Sequence, residues 1–195
     1  MTSADTKTNS SNPSPYSTSG GGYCYENFVQ SSFVLSMLAE NNVHTFPNSV
    51  ITKIALQGRY ANYATDDCIL FLRDTNTNVE HKFLLSIKKT INITKSCNDF
   101  KDSLFHAWVD FNETTFNKNF DHIGLVTSFL TKTDNENVKT FLQWAKHCDS
   151  AEEFYQKIDH NRNKKEKYDV FHELLIASNN NQPIRPELLW QFLKS

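Results

Sequence analysis

The sequence predicts an α/β domain in the order helix, three strands, helix, strand, continued by a helical extension at its C-terminal side. Three features point there. Residues 50–56, 68–73 and 80–88 are rich in β-branched or large apolar side chains and are separated by turn-forming residues, as strands are. The second and third runs are apolar on both faces. Ile69 and Phe71 alternate with Cys68, Leu70 and Leu72, and Phe83, Leu85 and Ile87 alternate with Leu84, so helices are expected on both sides of the sheet. The flanking segments repeat their apolar residues at helical spacing.

Each element follows in turn. Residues 1–20 are mostly Ser, Thr, Asn, Pro and Gly, which cannot offset their ordering entropy by burial, and a disordered leader is predicted. Gly20-Gly21-Gly22 ends it, and Tyr23 opens a helix whose Phe28, Val29, Phe33, Leu35, Met37 and Leu38 are expected to form one broad buried face, stopped by Asn41 and Asn42. The first strand lies between Pro47 and Gly58, and a loop through Tyr60 and Tyr63 leads to the second. The polar tip Asp74-Thr75-Asn76-Thr77-Asn78 then returns the chain as the third strand, closing a hairpin.

Phe100, Leu104, Trp108 and Phe111 mark a helix over 98–111, and 122–127 is a short buried strand. From about residue 135 the chain is predicted to be helical. Val138, Phe141, Leu142 and Ala145 form one stripe, Ser150-Ala151-Glu152-Glu153 is a capping box, 169–176 is a third helix of this part, and Pro186 opens a fourth. The basic run 162–167 is expected to be a solvated linker between helices. The division is therefore a leader at 1–20, a core at 21–133 and a helical extension at 134–195; the abrupt last helix predicts a following domain.

With 195 residues, fifteen Phe and three Trp, the chain can bury a substantial core. The formal charge of −2 offers no global field for nucleic acid, so any such binding must use local patches. Cys24, Cys68, Cys97 and Cys148 show no close pairing and are expected to be reduced thiols of a cytoplasmic protein. No signal peptide or membrane span is visible, so two glycosylation sequons at Asn92 and Asn112 are chance matches. The seven histidines lack ligand spacing and are expected to be structural or surface residues.

The chemistry concentrates on the hairpin. Asp66 and Asp67 open one strand, while Ser86 and Lys88 share a face near the end of its neighbour by the period of two. Carboxylates beside a lysine suit a divalent metal held next to a scissile phosphate, the cation steadying developing charge. Ile87 points its side chain into the core, but its backbone carbonyl is available as a further ligand. Lys88, Lys89, Lys95 and Lys101 lie in and after that strand, within reach of a phosphate backbone; no aromatic platform for single strands is visible, which favours duplex DNA. Tyr60 and Tyr63 are further candidates for DNA contact.

Asp67, a strand, a polar turn and a strand ending in Ile87-Lys88 resemble the PD-(D/E)XK, or restriction-endonuclease-like, superfamily, whose core has the same element order. Gly21-Gly22-Tyr23, Tyr25-Glu26, Asp66-Asp67, Gly124-Leu125-Val126-Thr127 and Leu142-Gln143-Trp144-Ala145-Lys146 resemble a narrower group. These are the double-stranded-DNA endonuclease effector domains of bacterial antiphage systems, often fused to STAND-type NTPases. The resemblance implies a Mg2+- or Mn2+-dependent DNA endonuclease, with Asp67 as central metal ligand, Lys88 as catalytic lysine and Glu26 as a further carboxylate. It also implies homo-oligomerisation through a following NTPase region, and activation by that assembly.

Ser86 departs from the family pattern, where an acid or Gln is usual, and a hydroxyl is the weaker ligand for a hard cation. Asp66 is a substitute ligand, ranked below Asp67 because adjacent strand residues face opposite ways. Two alternatives stand beside the DNA endonuclease. One is a catalytically degenerate nuclease-fold module serving DNA binding or oligomerisation; the other is the same chemistry on RNA.

Overall fold

The computed structural model describes residues 20–57, 62–65 and 67–195, so the expected leader through residue 19, Gly58, Tyr60 and Asp66 lie outside the described residues. The elements are α1 (Gly20–Leu38), β1 (Asn42–Val43), β2 (Phe46–Leu56), β3 (Cys68–Asp74), β4 (Glu80–Thr90), α2 (Asn98–Asn112), β5 (His122–Phe129), α3 (Lys132–His147), α4 (Ala151–Asp159), α5 (Arg162–Ser178) and α6 (Pro186–Lys194). This is a mixed α/β chain. Its five strands form one sheet in sequence order, with β1 to β4 antiparallel and β5 parallel to β4 after the α2 crossover.

Alternation along β3 and β4 sends apolar side chains to both faces, and each face has its own core. On one face Ile69 and Leu84 join Phe100, Trp108 and Phe111 of α2, Phe141 of α3, Phe154 of α4, Phe171 and Leu175 of α5, and Phe192 of α6. On the other, Cys68, Leu70, Leu72, Leu85 and Ile87 pack under α1, which contributes Val29, with Phe33 and Met37 at the margin. Gly124 of β5 fits this packing because an added Cβ would stand 2.6 Å from the Phe83 ring. Among the described residues no helix is long and apolar enough to cross a membrane.

Three sequence expectations are corrected. The apolar residues of α1 do not form one buried face. Val29, Phe33 and Met37 turn to the sheet, whereas Phe28, Leu35 and Leu38 are 71%, 66% and 72% exposed, because a 3.6-residue period places the two sets on different sides. The basic run 162–167 is not a linker but the start of α5, capped by Asn161, whose side chain accepts from the Lys164 N–H at 3.3 Å. Finally, β2 begins at Phe46 and takes in Pro47. Its pairing with β3 starts only at Ser49, and its pairing with β1 is irregular there, so no ladder bond requires a proline N–H.

The helix starts obey local rules. Thr131 Oγ1 accepts from the Asp134 N–H at 3.1 Å, which starts α3 three residues earlier than its apolar stripe suggests. Ser150 Oγ accepts from the Glu153 N–H at 3.2 Å, while the Glu153 carboxylate accepts from the Asp149 N–H at 3.0 Å, a capping arrangement at the expected place. Pro186 takes the first turn of α6, where its missing N–H costs nothing.

Candidate active site

The β3–β4 hairpin sets the site. Asp74 closes its tip by accepting from the N–H groups of Asn76 at 2.9 Å and Thr77 at 2.7 Å, and the Thr77 bonds hold its carboxyl below the usual range. That turn sets the register Arg73↔Glu80 through Cys68↔Leu85. Continued by one residue, it places Asp67 opposite Ser86. The next outward ladder N–H of β4 belongs to Ile87, and the Asp67 carboxylate takes it: Oδ2 accepts from Ile87 N at 2.6 Å. The same oxygen accepts from Lys88 Nζ at 3.1 Å, forming an ion pair. Asp67 is 8% exposed and the Lys88 side chain 31%, so the pair stands at the rim of the core with its lysine reaching solvent.

Helix α1 brings in the second carboxylate. The Gln30 amide nitrogen donates both to Glu26 Oε1 at 2.9 Å and to the Asp67 backbone carbonyl at 2.8 Å. Glu26, Gln30 and Asp67 therefore form one chain of contacts across the end of the sheet. Cys68 lies beneath it. Burial, then the charges of Asp67 and Glu26, push its thiol up to about 12, so it stays protonated and inert as a nucleophile.

The loop entering β3 is held from the opposite face. Asp110 of α2, 2% exposed, accepts from the Ala64 N–H through Oδ1 and from the Thr65 N–H through Oδ2, each at 2.7 Å. It anchors the backbone two residues before Asp67. Nothing in the local sequence marks Asp110, because its partners are more than forty residues away. The signal for Gln30 was present, since it lies one turn after Glu26 on the same helix face.

The structure thus brings together Glu26, Asp67, Ile87 and Lys88 through direct or Gln30-mediated contacts. Ser86 is buried on β4, opposite Asp67 in the continued register. Asp66 lies outside the described residues. The Ile87 N–H faces Asp67; because a strand residue turns both backbone polar groups to the same neighbour, its carbonyl opens to that side as well. The candidate ligands are all oxygen donors, two carboxylates and a carbonyl, the donor class a hard cation such as Mg2+ takes. Among the described residues no three His, Cys, Asp or Glu side chains gather as a metal cage.

The other candidates for phosphate contact divide. Lys95 pairs with Glu173, while Lys89 and Lys101 are exposed. Three of the four basic residues at the start of α5 are paired: Arg162 with Glu166, Lys165 with Asp159, and Lys167 with Asp134. Tyr63 instead packs, its ring 5.5 Å from Lys82 Nζ. A cleft of about 430 Å3 opens at the opposite end of the sheet among Phe46, Asp74, His81, Phe120 and His122, and it holds none of the candidate residues. Burial keeps His122 there below its ordinary pKa, and the ring packs on Phe46.

No family model, no curated protein and no solved structure matches the chain.

Proposed function

We propose that the chain is a restriction-endonuclease-like, PD-(D/E)XK nuclease domain that cuts double-stranded DNA with Mg2+ or Mn2+ as an effector of bacterial antiviral defence. The observation that carries this is the Asp67–Lys88 contact at 3.1 Å between adjacent hairpin strands, in a chain ordered helix, strands, helix, strand. The antiviral setting, and an NTPase region that assembles the nuclease domains, rest on the sequence resemblance of the Glu26, Asp66-Asp67 and Gly124 segments to such effectors.

Asp67, Glu26 and the Ile87 carbonyl, with Asp66 beside them in sequence, are the residues that would hold the metal. A bound divalent ion would polarise the phosphate and acidify water. The protein's own part is positional and electrostatic. Gln30 fixes Glu26 relative to the Asp67 backbone, and Asp110 fixes the loop that delivers Asp67. Lys88 presents a cation from the rim, able to leave Asp67 for a phosphate oxygen as charge develops there.

A second reading, a nuclease fold that has lost catalysis and serves as a binding or oligomerisation module, is favoured by Ser86, where the hydroxyl supplies no charge for a metal. Supercoiled-plasmid cleavage in Mg2+ or Mn2+ separates the two. Nicking or linearisation that falls about a hundredfold or more in both Asp67→Ala and Lys88→Ala supports the nuclease. Cleavage equal in wild type and both variants refutes this site. No cleavage by the assembled full-length protein, with DNA binding retained, supports the degenerate module.

A further inference from the structure

Helix α1 has two sides of opposite character. Glu26, Gln30, Phe33 and Met37 face the sheet and the candidate site. On the other side Cys24, Phe28, Ser31, Leu35 and Leu38 follow one another at spacings of four, three, four and three residues, and all five are exposed. That alternation averages 3.5 residues, the repeat that keeps one seam of a helix facing a partner helix along its whole length. Phe28, Leu35 and Leu38 are each about two-thirds or more exposed, far above the scattered apolar exposure of an ordinary surface.

We infer that this seam is the contact between two copies of the chain, α1 against α1. Charge selects the occupant. The only charged residue of α1 is Glu26, which is turned to the Gln30 amide on the other side, so the seam carries no charge of either sign. It offers nothing to a phosphate backbone or an anionic membrane. It meets no repulsion from its own copy, and a two-fold contact of a patch with itself is complementary by construction. Ser31 at the middle is small and lets the two backbones approach, with Phe28 and Leu35 on either side of it to interlock.

Segment 1–19 is a poor cover, since apart from Met1 and Tyr16 it contains no large apolar side chain. The area is also appropriate. Three such side chains exposed to this degree offer roughly 350–450 Å2 per copy, and with Cys24 and Ser31 a pair reaches about 1,000 Å2, the lower bound for a specific interface. The pairing is reversible. It also sets two copies of the Glu26–Gln30–Asp67 chain on one rigid helix pair, whatever chemistry that chain performs.

Sedimentation equilibrium of the 195-residue protein is the test. The wild type moves from its 22.5 kDa monomer mass toward twice that value between about 1 and 100 μM. Phe28→Glu combined with Leu35→Glu stays monomeric over that range with an unchanged circular dichroism spectrum. Phe28→Ser combined with Leu35→Ser, which removes apolar area without adding charge, weakens association at least tenfold and serves if the charged pair misfolds. A wild type that remains monomeric at 100 μM overturns the proposal, even if another protein binds the seam. So does a dimer whose affinity neither double variant alters.

Discussion

The two faces of the sheet are built unequally. One buries Phe100, Trp108, Phe111, Phe141, Phe154, Phe171 and Phe192 under five helices, with rings meeting edge to face at centroid separations such as 5.0 Å for Phe100–Phe171 and 5.2 Å for Trp108–Phe192. Among the described residues the other is covered by α1 alone, which brings Glu26 and Gln30 to the end of the sheet where Gln30 meets the Asp67 backbone, while the Asp67–Lys88 pair alternates onto the side of Ile69 and Leu84. Aromatic packing of this extent stabilises the fold, whereas charged groups with imperfect burial cost stability.

The contrast can be pressed hardest at Phe111, which is fully buried and packs against Trp108, Phe116 and Phe192. Phe111→Ala should cost about 3–5 kcal/mol in urea unfolding. A loss under 1 kcal/mol would mean the thick layer is not the stabilising one. Asp110 ties the two sides together, and Asp110→Ala should cost about 2–3 kcal/mol by leaving the Ala64 and Thr65 N–H groups without acceptors. It should also impair whatever activity Asp67 supports, whereas Phe111→Ala should leave the activity of its folded fraction nearly intact.

The smallest effect belongs to Cys68 under the thin layer. Its thiol stays protonated to about pH 12 when folded but ionises near 9 when unfolded, so the unfolded state binds fewer protons between those values. Stability should therefore be full below pH 9 and fall by up to about 1.4 kcal/mol per unit above it. Urea midpoints at pH 8, 9 and 10 check the slope, and Cys68→Ala should flatten it relative to the wild type.

Much of this was legible in the chain itself. The two-faced apolar pattern of the hairpin announced a sheet covered on both sides, and period-two arithmetic put Lys88 on the face that meets Asp67. What escaped did so for physical reasons. The apolar residues of α1 are dense enough that composition hides which of them turn outward, and only the angular period separates Phe28 from Val29. The start of α5 looked like linker because its residues are charged. Yet Arg and Lys form helices well, and Arg162 and Glu166 are an i, i+4 pair. Asp110 was invisible because a carboxylate that binds distant backbone leaves no local pattern.

The hairpin has a consequence for the order in which the molecule assembles. Asp67 and Lys88 lie twenty-one residues apart at the open end of one hairpin, so their contact forms as the hairpin zips outward from its turn, an event on the microsecond scale. The parallel partner β5 reaches β4 only after the chain has passed through α2, a non-local pairing of the kind that slows folding. The charged pair, local to one hairpin, therefore has its partners in place before β5 completes the sheet around it.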